Sequence, residues 1–346
     1  MKLDMSNWKE SVLTSKRRFA VPILSQPGID LIGESVLDAV TSSEVQARAI
    51  EALIEHYSPD AVTMIMDLTI EAEAFGAQVT FHDNDIPTIT GTLLEDVDAI
   101  ESLAFPALDA ARIPNQLNAL RKIAERVDGK PVFAECIGPF SLAARLFGIS
   151  EIMTSILTEP SIIHILLDKC THFLTEYVNE SKRAGANGIV MAEPAAGLLS
   201  GEHCDEFSSA YVKKIISKTQ DEDFFIVLHN CGNSGQVTRS MISTGAGIIH
   251  VGNKVGMTEV LQAAPSDMIV MGNLDPAGIL KCDTAAAVRS ATAGLLSETR
   301  TYSNFIISSG CDVPLGTPEA NIRAFFSAVD DFNSVYARRQ IGEVAH

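Results

Sequence analysis

The chain has 346 residues, 46% of them hydrophobic and 20% charged, and a net charge of −18 at neutral pH. That much apolar material excludes long disordered stretches. The acidic excess argues against nucleic acid, whose binding draws on cationic side chains, and against anionic lipid surfaces.

No stretch reaches the roughly 20 apolar residues of a membrane span. The most apolar one, 188–199, is broken by Glu193 and Pro194. The N-terminal MKLDMSNWKESVLTSKRR has no apolar core and no cleavage signature, so a cytoplasmic protein is expected. Six cysteines without a CxxC do not make a disulfide scaffold.

Eight short runs rich in Val, Ile, Met and Phe recur along the chain. They lie at 19–24, 61–66, 131–137, 188–192, 224–229, 247–251, 268–272 and 304–308. Runs apolar on both faces are what a parallel sheet requires. Amphipathic helical spacing fills most gaps, clearest at 45–56, 162–183 and 318–336. Eight strands alternating with helices predict an α/β fold, a (β/α)₈ barrel, with a doubly wound open sheet as the alternative.

In a barrel, chemistry sits where the strands end. The predicted exits present Gln26, Asp67, Glu135, Glu193, His229 with Cys231, Asn253 with Lys254, Asn273 with Asp275, and Cys311. The sharpest feature is His229-Asn230-Cys231 closing FFIVLHNC, with Cys311 closing IISSGC. Two thiolates and one imidazole suit Zn²⁺ and leave a fourth position for substrate. The competing reading is two ordinary buried cysteines. Asp67 follows AVTMIM and either points into the mouth or caps a helix. Glu71 and Glu73 cannot share one helix face, so one is expected in solvent. Glu135 reads as a paired core charge, and Glu193 as a metal ligand, a proton carrier or a rim charge. His82, His164, His172, His203 and His250 have no local partners, and surface or satisfied positions are expected for them. HExxH, GxSxG and P-loop motifs are absent.

With DAVTMIMDLTIEAEAFG, IGPFSLAARLFG, GNLDP at 272–276 and SSGCDVPLGTPEANIRAF, the chain resembles the uroporphyrinogen decarboxylase superfamily over nearly its whole length. Within it, the chain is most similar to the cobalamin-dependent thiol methyltransferases, the methylcobamide:coenzyme M methyltransferases among them. That branch carries a His-x-Cys…Cys zinc motif, matched by His229, Cys231 and Cys311. The resemblance implies one (β/α)₈ barrel domain over 1–346 with an N-terminal helical extension over about 1–18. It implies Zn²⁺ as cofactor, a methyl-corrinoid as donor on a separate carrier protein, and a small thiol as acceptor. Asp67 and Glu193 are the catalytic candidates beside the metal ligands. A zinc-bound thiol is deprotonated outright. Its sulfur would attack the methyl carbon of a methyl–cobalt(III) corrinoid, and cobalt would leave with the bonding pair as Co(I).

The decarboxylase branch is the alternative, because Asp67 matches that enzyme's catalytic Asp. Its octacarboxylate substrate is met by arginines after the first strand. The corresponding PILSQPGIDLIG has none, and Cys311 stands where the decarboxylase has His. If the thiol is coenzyme M, Lys254, Arg145 and Arg239 are candidates by position for its sulfonate. The chain departs from its relatives at Gly252 and Glu193, where Asp is frequent.

Overall fold

The computed structural model describes residues 3–343, with side chains over 3–335. Helix α1 (Met5–Thr14) is capped by Asp4, whose carboxylate accepts from the Asn7 amide. Among the described residues nine strands follow. They are β1 (Val62–Thr63), β2 (Val79–His82), β3 (Asp85–Ile89), β4 (Val132–Ile137), β5 (Gly188–Ala192), β6 (Phe225–Asn230), β7 (Ile248–Val251), β8 (Ile269–Leu274) and β9 (Phe305–Ser309).

Seven of them form one parallel sheet in the order β1-β4-β5-β6-β7-β8-β9. Sequential neighbours pair in parallel through helical crossovers, so the sheet curls with its helices outside. The three helical patterns fall within Ser43–Tyr57, Pro160–Arg183 and Glu319–Glu343.

The first predicted run does not become a strand. Residues 19–24 make an isolated parallel bridge, Ala20 to Ile307. Val21 N–H donates to the Ile307 carbonyl, and Ile307 N–H donates to that of Phe19. The next amide toward β9, Ile23 N–H, is taken by the Ser309 hydroxyl. On the opposite side, toward β1, Pro22 has no N–H to give. There Ala20 donates to the Asp60 carboxylate and accepts from the Asp60 amide. The segment thus touches both β9 and the residues before β1. A second departure is the antiparallel hairpin β2–β3, which no apolar run announced because most of its side chains are exposed or half-exposed.

Strand alternation sorts the core into two. Ile226 and Leu228 face the helices, whereas Phe225 and Val227 face inward with Phe133, Val190, Ile248, Ile269, Met271 and Ile306. Met5, Trp8 and Val12 of α1 pack on this inner cluster, so the helix covers the end at which the strands begin. Trp8 stands edge-on to Phe19 and Phe133, with centroids 6.1 and 6.2 Å away. Continuing each inner row one step toward the strand end places His229 after Val227, His250 after Ile248, Ser308 after Ile306 and Glu135 after Phe133.

Among the described residues no single helix is long and apolar enough to cross a membrane. Because Trp8 fills the end of the curl, Trp8→Ala should lower the unfolding free energy by about 3–5 kcal/mol. A urea titration checks this, and a loss below about 1 kcal/mol would show that α1 is peripheral.

Candidate metal centre

The inner rows bring His229, Cys231 and Cys311 together. One ligand atom from each lies within 4.8 Å of the other two. His229 is buried and the two cysteines are half-buried, so the imidazole forms the floor and the sulfurs lie nearer solvent. The Cys231 thiol is pulled down to about 4, chiefly by the hydrogen bond from Cys311, with the nearby His229 ring adding to it. The Cys311 thiol moves up for the same reason, since it holds the shared proton, and burial adds to it.

His229 Nδ1 lies 2.8 Å from His250 Nδ1, and His250 Nε2 lies 2.9 Å from the Ser308 hydroxyl. Burial first, then the neighbouring His229, holds His250 well below the usual histidine range. His229 Nε2 is buried without a hydrogen-bond partner. A buried lone pair beside a thiol–thiolate pair is a donor set that fits a soft-to-borderline divalent ion such as Zn²⁺.

The loops are shaped for this approach. Asn230 donates through Nδ2 to the Glu193 carbonyl, and its Oδ1 accepts from Asn233 N–H, turning the chain beyond Cys231. Gly252 lies against Cys231, where an added Cβ would stand 2.8 Å from the Cys231 Cα and 2.9 Å from its carbonyl oxygen. Any larger residue there, aspartate included, would displace the ligand loop. Asp312, next to Cys311, accepts from Ser25 N–H, Ser25 Oγ and Gln26 Nε2, fastening that loop to the first apolar run.

The two catalytic candidates sit outside the three-ligand cluster. Glu193 is buried, and its carboxylate accepts from Phe140 N–H, Ser141 N–H, Ser141 Oγ and Ser208 Oγ. It therefore caps the helix Pro139–Phe147, which has no cap of its own. Asp67 accepts from Thr69 N–H and Oγ1 and pairs with Arg112, which also reaches Glu73 at 2.6 Å. It does not cap the helix Ile70–Ala74, whose N-cap residue is Thr69.

Of the neighbouring acids, Glu71 is the buried one and Glu73 the half-exposed one. Glu71 accepts from Ile137 N–H, but its second oxygen has no partner, and burial pushes its pKa up to about 7. Glu135 is not a paired core charge: both its oxygens lack partners, and burial raises it well above the carboxylate range. Lys254 and Arg239 are exposed, whereas Arg145 is largely buried near Glu71 and Asp67.

The motif HNC…C named the three side chains that cluster, and spacing alone missed His250. Its signal was strand alternation: it sits opposite His229 in the β6–β7 register, on the same inner face.

Comparison with known proteins places these features. The family model for uroporphyrinogen decarboxylase (URO-D) matches residues 18–332. The methylcobamide:CoM methyltransferase MtbA of Methanosarcina mazei is 28% identical over 299 residues, covering 85% of this chain and 86% of that protein. A uroporphyrinogen decarboxylase of Hahella chejuensis is 24% identical over 313 residues, covering 87% and 86%. Among solved structures, a methyltransferase from Methanosarcina mazei superposes with a TM-score of 0.86 at 23% identity, covering 95% and 99%, a likeness of fold.

The raised pKa of Glu71 makes stability pH-dependent. The folded state holds this proton until about pH 7 and the unfolded chain releases it near 4.5, so stability is lost as pH rises through that interval. Glu71→Gln keeps the acceptor for Ile137 and removes the titration. The variant should be more stable than wild type at pH 8, with the gain fading below about pH 5. Parallel urea melts at the two pH values check this; a gain that does not change with pH would contradict it.

Proposed function

The chain belongs to the uroporphyrinogen decarboxylase (URO-D) family, and on that basis we propose that it transfers a methyl group from a methylcobamide to a small thiol such as coenzyme M. The reading includes a zinc ion held by His229, Cys231 and Cys311, and a separate carrier protein that presents the corrinoid. It also takes the seven-stranded sheet as closed by residues 19–24 into a (β/α)₈ barrel forming one domain in the cytoplasm. The observation that carries it is the buried, unpartnered Nε2 of His229 facing a thiol–thiolate pair. Relatives named as methylcobamide:CoM methyltransferases, matched over most of both chains, support it.

Zinc at this site would turn an incoming thiol with a pKa near 8.5 into a bound thiolate at neutral pH. The chain's own residues set the conditions for that. Cys231 and Cys311 as thiolates balance the dication's charge, so an added thiolate leaves the site net negative and its sulfur electron-rich. His229 contributes a neutral donor from the buried side. The half-exposed sulfurs leave the approach from solvent open, which a large corrinoid requires. Asp67 and Glu193 act through position: Glu193 holds the helix Pro139–Phe147 against the β5 exit, and Asp67 anchors Arg112 beside the mouth.

The decarboxylase reading has less support in the geometry. The segment after the first run carries no arginine, and Asp67 is already paired with Arg112.

Purified protein should contain close to one zinc per chain by metal analysis. Cys311→Ala should lose the metal and the methyl transfer together, by at least two orders of magnitude in rate if the bound thiolate is the nucleophile. Retention of both would remove the basis for the proposal. Turnover of uroporphyrinogen by wild type, abolished in Asp67→Asn, would assign the chain to the other branch.

A further inference from the structure

We propose that His250, backed by Ser308, is a positioning residue that fixes the tautomer of His229 and so presents a lone pair, not an N–H, to the metal. The inference rests on the zinc reading above but concerns residues that no ligand motif includes. Its observations are geometric. His250 is completely buried, its ring centroid is 4.6 Å from that of His229, and the ring planes are 75° apart. The Nδ1 atoms of the two rings are 2.8 Å apart, so that contact must hold one proton.

Two neutral imidazoles can satisfy it in only two ways. In the first, His229 Nδ1–H donates to His250 Nδ1. His250 then carries its own proton on Nε2 and donates it to the Ser308 hydroxyl at 2.9 Å. His229 Nε2 is left as a bare lone pair facing the cysteines. In the second, His250 donates to His229, and the His229 proton is forced onto Nε2, where it faces the site and blocks coordination. Facing the Cys231 sulfur, whose thiolate the His229 ring stabilises, that proton would have to give way before Nε2 could coordinate. In the first arrangement every other ring nitrogen is matched, donor to acceptor, along a line ending at Ser308. The serine accepts from His250 without needing to donate to it. Coordination through Nε2 therefore selects the first arrangement, and a chain of three side chains on β6, β7 and β9 stands ready to accept the proton carried on His229 Nδ1. An imidazole ligand whose second nitrogen donates to a fixed acceptor is better oriented and more basic, and loss of such a partner typically costs 10–100-fold in metal affinity.

The test uses full-length protein and zinc itself. Ring-nitrogen NMR of the zinc-loaded wild type should show His229 protonated at Nδ1 and His250 at Nε2. Competition with a chromophoric chelator should then give a zinc Kd about 10–100-fold weaker in His250→Phe, which keeps the bulk and removes the acceptor. His250→Gln offers an amide oxygen to His229 and should recover most of the loss, which a purely space-filling role for the ring would not produce. Zinc-loaded protein in which His250 carries its proton on Nδ1, or an unchanged Kd in His250→Phe, would overturn the proposal. If His250→Phe does not fold, the wild-type spectra and the His250→Gln affinity decide. Wild type that binds no zinc would instead defeat the metal reading itself, an outcome distinct from either.

Discussion

Parallel hydrogen-bonded register is the constraint on which the rest of this structure depends. It aligns the strands so that all of them end on one side, and it forces inner-facing residues to recur every second position. His229 and His250 become neighbours because they are Cα partners across β6 and β7. Cys311 meets Cys231 because the loops beyond β6 and β9 fold over the same opening. Small residues make the last approach feasible. Besides Gly252 against Cys231, an added Cβ at Gly310 would stand 2.7 Å from Asn253 N, so neighbouring exits pack backbone on backbone.

The buried polar groups around this opening divide by whether their hydrogen bonds are complete. Glu193 and Asp312 are surrounded by donors and serve as fasteners, one for a helix start and one for the loop that carries a ligand. Asp67 and Arg112 neutralise each other within a small network with Thr69 and Glu73. Glu135, one Glu71 oxygen and His229 Nε2 are left buried without partners, and of these His229 Nε2 is the one beside two sulfurs. A native fold rarely leaves such an atom unsatisfied without a role for it. Here the role follows from the donor set, one neutral nitrogen and two ionisable sulfurs.

Much of this was legible in the residues. Seven of the eight apolar runs became strands of one parallel sheet, because a run buried on both faces has little alternative. The first did not, since the Ser309 hydroxyl takes its next amide toward β9, and toward β1 Pro22 has no N–H and the Asp60 side chain takes the Ala20 amide. The hairpin β2–β3 was invisible for the opposite reason: its side chains are largely exposed and carry no apolar period. The clustered trio was readable because Cys and His at strand exits are chemically distinctive. His250 was passed over because its partner lies across a strand pair, which only register reveals. Glu193 looked like chemistry because a strand-end carboxylate has the same one-letter signature whether it meets a metal or the amides of a helix start.

The central claim is that three protein ligands hold zinc with a position left for the acceptor sulfur. X-ray absorption at the zinc edge, on the zinc-loaded protein with and without coenzyme M, tests it most directly. The account predicts two sulfurs at about 2.3 Å and one imidazole nitrogen at about 2.0–2.1 Å, with a third sulfur appearing when the thiol is added. A four-ligand protein shell that the thiol leaves unchanged, or a shell of nitrogen and oxygen alone, would contradict it.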